Sequence, residues 1–213
     1  MKFRLLTSFI ASICFCHVGN ATAALIDNGG GLIYDTARDI TWLNETGRSW
    51  GGSGVYGMSW EQANDWAASL QAGGISGWRL PSAMNFDGSG PYAGTGWKGN
   101  ELGHLVFEEL GNQAYGSLVQ SGPFTNLIQG GVYWLANKYV GDSSSDKAWV
   151  FDFAGNQQRT RYTNWEAYGL AVHEGNIRPL MAVPEPSSYL LCAIGLAFIA
   201  HRTKVKRALQ STD

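Results

Sequence analysis

Two pairs of histidine and carboxylate residues are the places in this sequence where metal or acid–base chemistry is most readily assembled. His104 and Glu108 have the i,i+4 spacing of neighbours on a helix, and Glu174 follows His173 directly. A zinc site needs three or four convergent ligands, mostly His or Cys. The cysteines all lie elsewhere, at Cys14, Cys16 and Cys192. We therefore expect neither a metal nor another cofactor at these pairs.

Carboxylates in two loops leave calcium as an alternative. Asp87 lies in an Asp-Gly-Ser-Gly segment, and Asp142 and Asp146 flank a run of serines. Neither segment has the spaced oxygen ligands of an EF-hand loop. We interpret both segments as solvated loops, with weak calcium binding as the alternative.

Motifs for covalent or acid–base catalysis are not recognised in the sequence. Serine is plentiful, but no motif ties a histidine to a serine nucleophile. Glu108 and Glu109 are neighbours on a predicted helix, so we expect their side chains to point apart and not to form a glycosidase pair. This favours a binding protein over an enzyme, with a hydrolase of extracellular polysaccharide as the alternative.

Tryptophan is the strongest compositional feature, with nine in 213 residues. Aromatic rings stack on sugars, but each Trp also buries about 150–250 Å² as core. Those on predicted regular elements are assigned to the core: Trp42, Trp60, Trp66, Trp78, Trp134 and Trp149. Aromatic residues in polar or glycine-rich surroundings are the candidates for a ligand face: Trp50, Tyr56, Tyr92, Trp97 and Trp165. Trp97, between glycines in segment 94–99, is the best of them.

Charge argues against nucleic acid as a partner. Residues 24–182 hold 15 acidic and 9 basic residues, a formal charge of −6. Lys and Arg contacts to phosphate dominate binding to DNA and RNA. We expect any polymer ligand to be a neutral or weakly charged polysaccharide.

Local signals indicate a mixed α+β domain. Ser59 and Gln62 form a capping box at the start of one helix, and Asn100 caps a second helix that Gly111 ends. Strands are predicted at 31–35, 39–43, 132–136, 148–153, 158–162, 169–173 and 177–181. Arg79 interrupts an apolar block, which predicts a partly buried ion pair, with Glu101 as a candidate partner.

The N-terminus predicts a secretory signal peptide over residues 1–23. Lys2 and Arg4 precede a mostly apolar stretch, and Ala21 and Ala23 occupy the small-residue positions before a cleavage site. We expect signal peptidase to cut after Ala23 and the exported domain to span residues 24–182.

The C-terminus, residues 183–213, resembles the PEP-CTERM sorting signal of exosortase substrates in Gram-negative bacteria. Pro184, Glu185 and Pro186 precede an apolar run at 189–200. A basic cluster follows: Arg202, Lys204, Lys206 and Arg207. Basic residues remain cytoplasmic and stop transfer. The resemblance implies a membrane-anchored precursor with one transmembrane segment, exosortase as a partner, and a final place at the cell surface or in the extracellular matrix of a biofilm.

The central domain also resembles a family, through ordered blocks such as "GLIYDTARDITWLNE", "SWEQANDWAASLQ", "GWRLPSA", "NELGHLVFEEL" and "AWVFDFAGN". These are similar to the domain of unknown function at the C-terminus of the bacterial collagen-like adhesin Lcl. The resemblance implies a C-type-lectin-like fold, with two helices, short antiparallel strands and long irregular loops. No Glu-Pro-Asn or Gln-Pro-Asp triplet is present, so a calcium-dependent sugar site is not implied. We expect an exported protein that binds glycan or matrix material, or alternatively a protein-interaction module of a surface assembly.

Overall fold

The structure is a computed structural model that describes residues 24–47, 49–51, 54–141, 146–179 and 196. This part of the chain is mixed α+β and mostly strand, with two short helices and two four-stranded antiparallel sheets. The α+β prediction is therefore confirmed. The predicted signal peptide and, apart from residue 196, the predicted sorting segment lie outside the described residues.

The strands are β1 (Leu25–Asp27), β2 (Leu32–Asp35), β3 (Ile40–Gly47), β4 (Ser49–Gly51), β5 (Gly54–Tyr56), β6 (Gly94–Thr95), β7 (Val132–Lys138), β8 (Lys147–Asp152), β9 (Gln157–Tyr162) and β10 (Gly169–Glu174). One sheet has the order β1-β2-β3-β10 and the other β6-β9-β8-β7. Strands β4 and β5 form a separate hairpin. A parallel bridge from Tyr133 in β7 to Tyr168, directly before β10, joins the two sheets.

Both helices begin where the sequence predicts. Helix α1 (Trp60–Ser69) carries the capping box, because the Ser59 hydroxyl accepts from the Gln62 backbone N–H while the Gln62 side chain accepts from that of Ser59. A single 3₁₀ turn (Ala72–Gly74) follows. Helix α2 (Glu101–His104) starts at Asn100, whose side chain accepts from the Gly103 N–H at 2.7 Å. It continues as a π-helical turn, Leu105–Glu109.

Apolar side chains pack on both faces of the joined sheets. In β7, Tyr133 and Leu135 lie in the core cluster beneath α2, whereas Trp134 between them lies in the cluster beneath α1. Such alternation follows from the two-residue period of a strand. The sheets therefore hold α1 and α2 on opposite sides, each over its own core.

The tryptophan assignments agree with the structure. Trp42, Trp78, Trp134 and Trp149 are buried. The remaining two assigned to the core, Trp60 and Trp66, are partly buried and pack against the α1-side cluster.

The strand predictions are wrong in two respects. Residues 177–179 of the predicted last strand are not extended in a sheet, and positions 180–181 lie outside the described residues. The sequence also did not indicate β1, β4, β5 or β6, which have three residues or fewer. Strands this short carry too few side chains to show a period.

Within the described residues, the helices are too short and too polar to cross a lipid bilayer.

Candidate functional site

Two exposed aromatic rings, Tyr92 and Trp97, lie beside each other on the surface. Their ring centroids are 5.0 Å apart, with 33° between the ring planes. Tyr92 is 44% exposed and Trp97 is 42% exposed. The two rings together form one apolar surface, which we call the Tyr92–Trp97 face.

The backbone around these rings is fixed to the sheet. Strand β6 lies between them and pairs with β9, where Gly94 is opposite Gln158. The buried Gln158 amide donates to the Tyr92 carbonyl at 2.9 Å, and the Trp97 indole donates to the Ala93 carbonyl at 3.2 Å. Gly94 has φ 127°, and a Cβ there would lie 3.1 Å from the Trp97 indole nitrogen. Glycine therefore permits both the backbone angle and the close approach of the ring.

The other aromatic candidates are not part of this face. Trp165 is 53% exposed but follows Tyr162 at the opposite end of β9, where Arg161 lies 4.9 Å from its ring centroid. Trp50 and Tyr56 are in the β4–β5 hairpin, and their side chains lie outside the part of the chain that is described. The structure thus brings together Tyr92 and Trp97 of the predicted set.

A second cluster forms around His104, at the junction between α2 and its π turn. Nδ1 of His104 is 2.6 Å from a Glu108 carboxylate oxygen, and Nε2 is 3.1 Å from one of Glu109. The wider π turn brings residues i+4 and i+5 to the same ring. Our expectation that Glu108 and Glu109 point apart is therefore wrong, because it assumed a regular α-helix.

Asp35, at the end of β2, completes this cluster. Its Oδ2 lies 3.6 Å from His104 Nε2, and the Asp35 side chain is fully buried. Its Oδ1 accepts from the backbone N–H groups of Ala37 and Arg38, at 3.0 and 3.1 Å, in the turn between β2 and β3. Sequence reasoning missed Asp35, for which the only local signal is a carboxylate at the end of an apolar strand.

Burial and the neighbouring carboxylates have opposite effects on the pKa of His104. Burial lowers the pKa of His104, but its contacts with the Asp35 and Glu108 carboxylates outweigh burial, and the net pKa is raised. For Glu109, burial first and then the Asp35 charge raise the pKa. The carboxylates of the cluster therefore stabilise a positive charge between them.

Cationic and aromatic side chains cover the cluster. Arg38 lies 3.8 Å from the Glu108 carboxylate, and Lys98 lies 3.9 Å from it. The Arg38 guanidinium stacks 3.7 Å from the ring centroid of Phe86, whose edge in turn meets the His104 ring at 6.3 Å. These groups separate the His104 imidazole from solvent.

The donor atoms of Asp35, His104 and Glu109 all lie within 4.8 Å of one another. A nitrogen and two carboxylate oxygens can hold either a shared proton or a divalent cation. These are the described residues that could bind a metal.

The second predicted histidine pair does not converge on a site. Nδ1 of His173 contacts the Glu174 carbonyl at 2.6 Å, and Nε2 contacts the Ser76 carbonyl at 3.1 Å. The Glu174 carboxylate turns instead to Arg79. The ring nitrogens of His173 are thus engaged by the backbone.

The loop carboxylates that were considered as calcium ligands make local hydrogen bonds where the structure describes them. Asp87 accepts from the backbone and hydroxyl of Ser89, and Asp146 accepts from the Thr163 hydroxyl. Asp142 lies outside the described residues. These contacts are typical of structured loops.

The predicted partner of Arg79 is confirmed as Glu101. The guanidinium donates to both carboxylate oxygens of Glu101, at 2.9 and 2.7 Å. The Ser82 N–H also donates to this carboxylate at 2.7 Å. Hydrogen bonds and charge from Glu101 outweigh burial and raise the pKa of Arg79. The pair ties the Trp78-Arg79-Leu80 segment to the start of α2.

No protein-family model, curated protein or solved structure matches this chain. The resemblance to the Lcl C-terminal domain remains a prediction from sequence.

Proposed function

We propose that residues 24–182 form an exported glycan-binding domain and that the Tyr92–Trp97 face contacts the sugar. The observation that carries this proposal is the pair of adjacent exposed rings, 5.0 Å apart and attached to a sheet. Aromatic faces gain by covering the apolar surface of a sugar ring, and adjacent exposed aromatic rings offer such a face.

Preorganisation of the rings supports a binding role. Tyr92 and Trp97 lie in a long irregular region, yet β6 between them pairs with β9, and the Gln158 side chain binds the Tyr92 carbonyl. A ligand that meets ordered side chains loses less conformational entropy on binding.

The charge of the domain favours uncharged polymers. The formal charge of −6 on residues 24–182 repels acidic chains within the screening length of about 8 Å at physiological salt. A neutral or weakly charged extracellular polysaccharide is therefore the proposed ligand.

The architecture is compatible with a C-type-lectin-like domain related to the C-terminal domain of Lcl. Helices α1 and α2 lie on opposite sides of antiparallel sheets, and long irregular segments connect α1 to α2 and α2 to β7. Fold alone does not give function, so the binding proposal depends on the exposed rings.

The proposed location follows from the two ends of the sequence. The signal peptide exports the domain, and the segment 183–213 anchors a precursor in the membrane until an exosortase processes it. The mature protein then acts at the cell surface or in the extracellular matrix.

Polysaccharide binding tests the proposed ligand class. We expect the purified protein to be retarded by dextran, laminarin or galactomannan in affinity electrophoresis, and not by heparin or DNA. Trp97→Ala should weaken this binding about tenfold or more, as expected for an aromatic residue central to an interface. Tyr92→Ala should also weaken it.

Trp165→Ala is the matched control, since it removes an equally exposed indole at the other end of β9. It should bind like the parent. Equal affinity of the Trp97→Ala variant and the parent would contradict the proposal, and so would stronger binding to heparin than to the neutral polymers. Release of reducing ends during incubation would support the hydrolase alternative instead.

Sorting is tested separately in a host that has an exosortase. Replacing Pro184, Glu185 and Pro186 by alanine should leave a full-length chain in the membrane fraction, because the apolar run and the basic residues that follow it still anchor it. Deletion of 183–213 should release a soluble domain. Immunoblots of cell fractions give both results, and an alanine variant processed and located like the parent would show that the sorting interpretation is wrong.

A further inference from the structure

We propose that Asp35, His104 and Glu109 bind a divalent transition-metal ion and that zinc fits this site best. The three side chains come from the end of β2 and from the two halves of the interrupted helix α2. We call them the Asp35–His104–Glu109 site.

The distances are close to those of an assembled site. Zinc bonds of about 2.0–2.2 Å in a tetrahedron hold ligand atoms about 3.3–3.6 Å apart. Nε2 of His104 lies 3.1 Å from Glu109 Oε1 and 3.6 Å from Asp35 Oδ2. All three donor atoms lie within 4.8 Å of one another. A bound ion therefore requires only small side-chain adjustments.

The imidazole is oriented as a metal ligand by Glu108. Nδ1 of His104 lies 2.6 Å from Glu108 and 3.2 Å from the Arg38 guanidinium. The shorter contact favours a proton on Nδ1, because an ionised carboxylate only accepts hydrogen bonds. Nε2 is 3.1 Å from the Glu109 carboxylate, so a metal ion would take the place of a proton between Nε2 and the carboxylates of Asp35 and Glu109. A carboxylate behind the other ring nitrogen is the usual support of a histidine ligand.

Asp35 supplies the independent indication of a ligand. Its Oδ2 is buried and accepts no hydrogen bond from the described residues, with His104 Nε2 at 3.6 Å, whereas its Oδ1 accepts two backbone N–H groups. A buried carboxylate oxygen without a hydrogen bond is costly. This oxygen lies near His104 Nε2, so a cation between them would satisfy it.

Charge balance also fits a divalent ion. Neutral His104 with ionised Asp35 and Glu109 gives two negative charges, which one dication neutralises. Glu108 is separately balanced by the nearby cations Arg38 and Lys98.

The donor set selects the class of metal. One imidazole nitrogen with two carboxylates suits zinc and related transition metals, and a water molecule would complete a tetrahedron. Calcium takes six to eight oxygen ligands and magnesium prefers an octahedron rich in water. We therefore expect zinc to bind more tightly than calcium or magnesium.

Enclosure of the site indicates a structural role for the ion. Asp35, His104 and Glu109 are almost fully buried, and Phe86 and Arg38 lie over the ring. The ion would join the β2–β3 turn to α2 from inside the fold, and binding energy of this kind adds directly to folding stability.

The test is zinc binding by the full chain, purified in detergent without an affinity tag and dialysed against chelator. We expect one saturable zinc site by calorimetry and a higher melting temperature with zinc than with chelator. Cobalt(II) should give the visible bands of a tetrahedral site without thiolate charge transfer, which excludes binding at the cysteines.

Asp35→Asn, His104→Gln and Glu109→Gln keep side-chain size and should each weaken zinc binding by more than about 100-fold, whereas Glu108→Gln should weaken it about 10–100-fold. His173→Gln is the control and should bind zinc like the parent. Zinc-free circular dichroism verifies that each variant folds. The proposal is overturned if the folded parent does not bind zinc, if the ligand variants bind it as tightly as the parent, or if calcium binds more tightly.

Discussion

Trp78→Ala is expected to lower the free energy of unfolding by about 3–5 kcal/mol, the usual cost of removing a large buried aromatic side chain. Trp78 is only 2% exposed and packs with Leu32, Leu43 and Ala171. Its indole also donates to the Ile75 carbonyl at 2.9 Å, so the substitution leaves both a cavity and an unpaired acceptor.

Trp97→Ala is the comparison, because the same chemical change is made at a surface ring. It should cost about 1 kcal/mol or less, as most surface substitutions do. Urea titrations of the parent and both variants, followed by circular dichroism, give the two values. A large loss of stability in Trp97→Ala would assign that ring to packing, and a small loss in Trp78→Ala would contradict the buried position.

Glu101→Gln is expected to cost about 3 kcal/mol, the lower end of the range for removing one partner of a buried ion pair. Glu101 is buried and accepts from Arg79 through both oxygens, and from the Ser82 N–H. Glutamine keeps the size but loses the charge. If its oxygen takes the place of Oε2, which accepts from Arg79 Nη1 and the Ser82 N–H, its NH2 group faces the Arg79 Nη2 donor and that hydrogen bond is lost.

Glu174→Gln removes the other carboxylate that contacts Arg79 and is the matched control. Its side chain is 70% exposed, and exposed pairs contribute about 1 kcal/mol or less. Thermal and urea unfolding should therefore separate the two variants clearly. Equal losses would mean that burial of Glu101 does not determine the strength of its contact with Arg79.

Local features of the fold were predictable because their causes are local. The Ser59–Gln62 capping box and the Asn100 cap depend on residues within one helical turn. The core positions of Trp78 and Trp134 followed from their assignment to predicted regular elements, where large aromatic side chains are usually buried. Exposure of Trp97 followed from the glycines around it, which disfavour a regular element.

The His104 cluster was not predictable for two physical reasons. Asp35 and His104 come together only because β2 packs against α2. Their separation along the chain gives no indication of this contact. The π turn then shifts the helical register, so Glu109 joins Glu108 at the same imidazole. A regular 3.6-residue period would have separated them.

The most direct test of the glycan-binding proposal is to observe which indole groups respond to sugar. Spectra of the ¹⁵N-labelled protein should be recorded during titration with laminarin and dextran oligosaccharides, with indole N–H signals assigned by single Trp→Phe variants. We predict saturable shifts of the Trp97 indole signal and no change at the buried Trp78 indole. An unchanged Trp97 signal at saturating sugar, or shifts centred on Trp165, would contradict the proposed site.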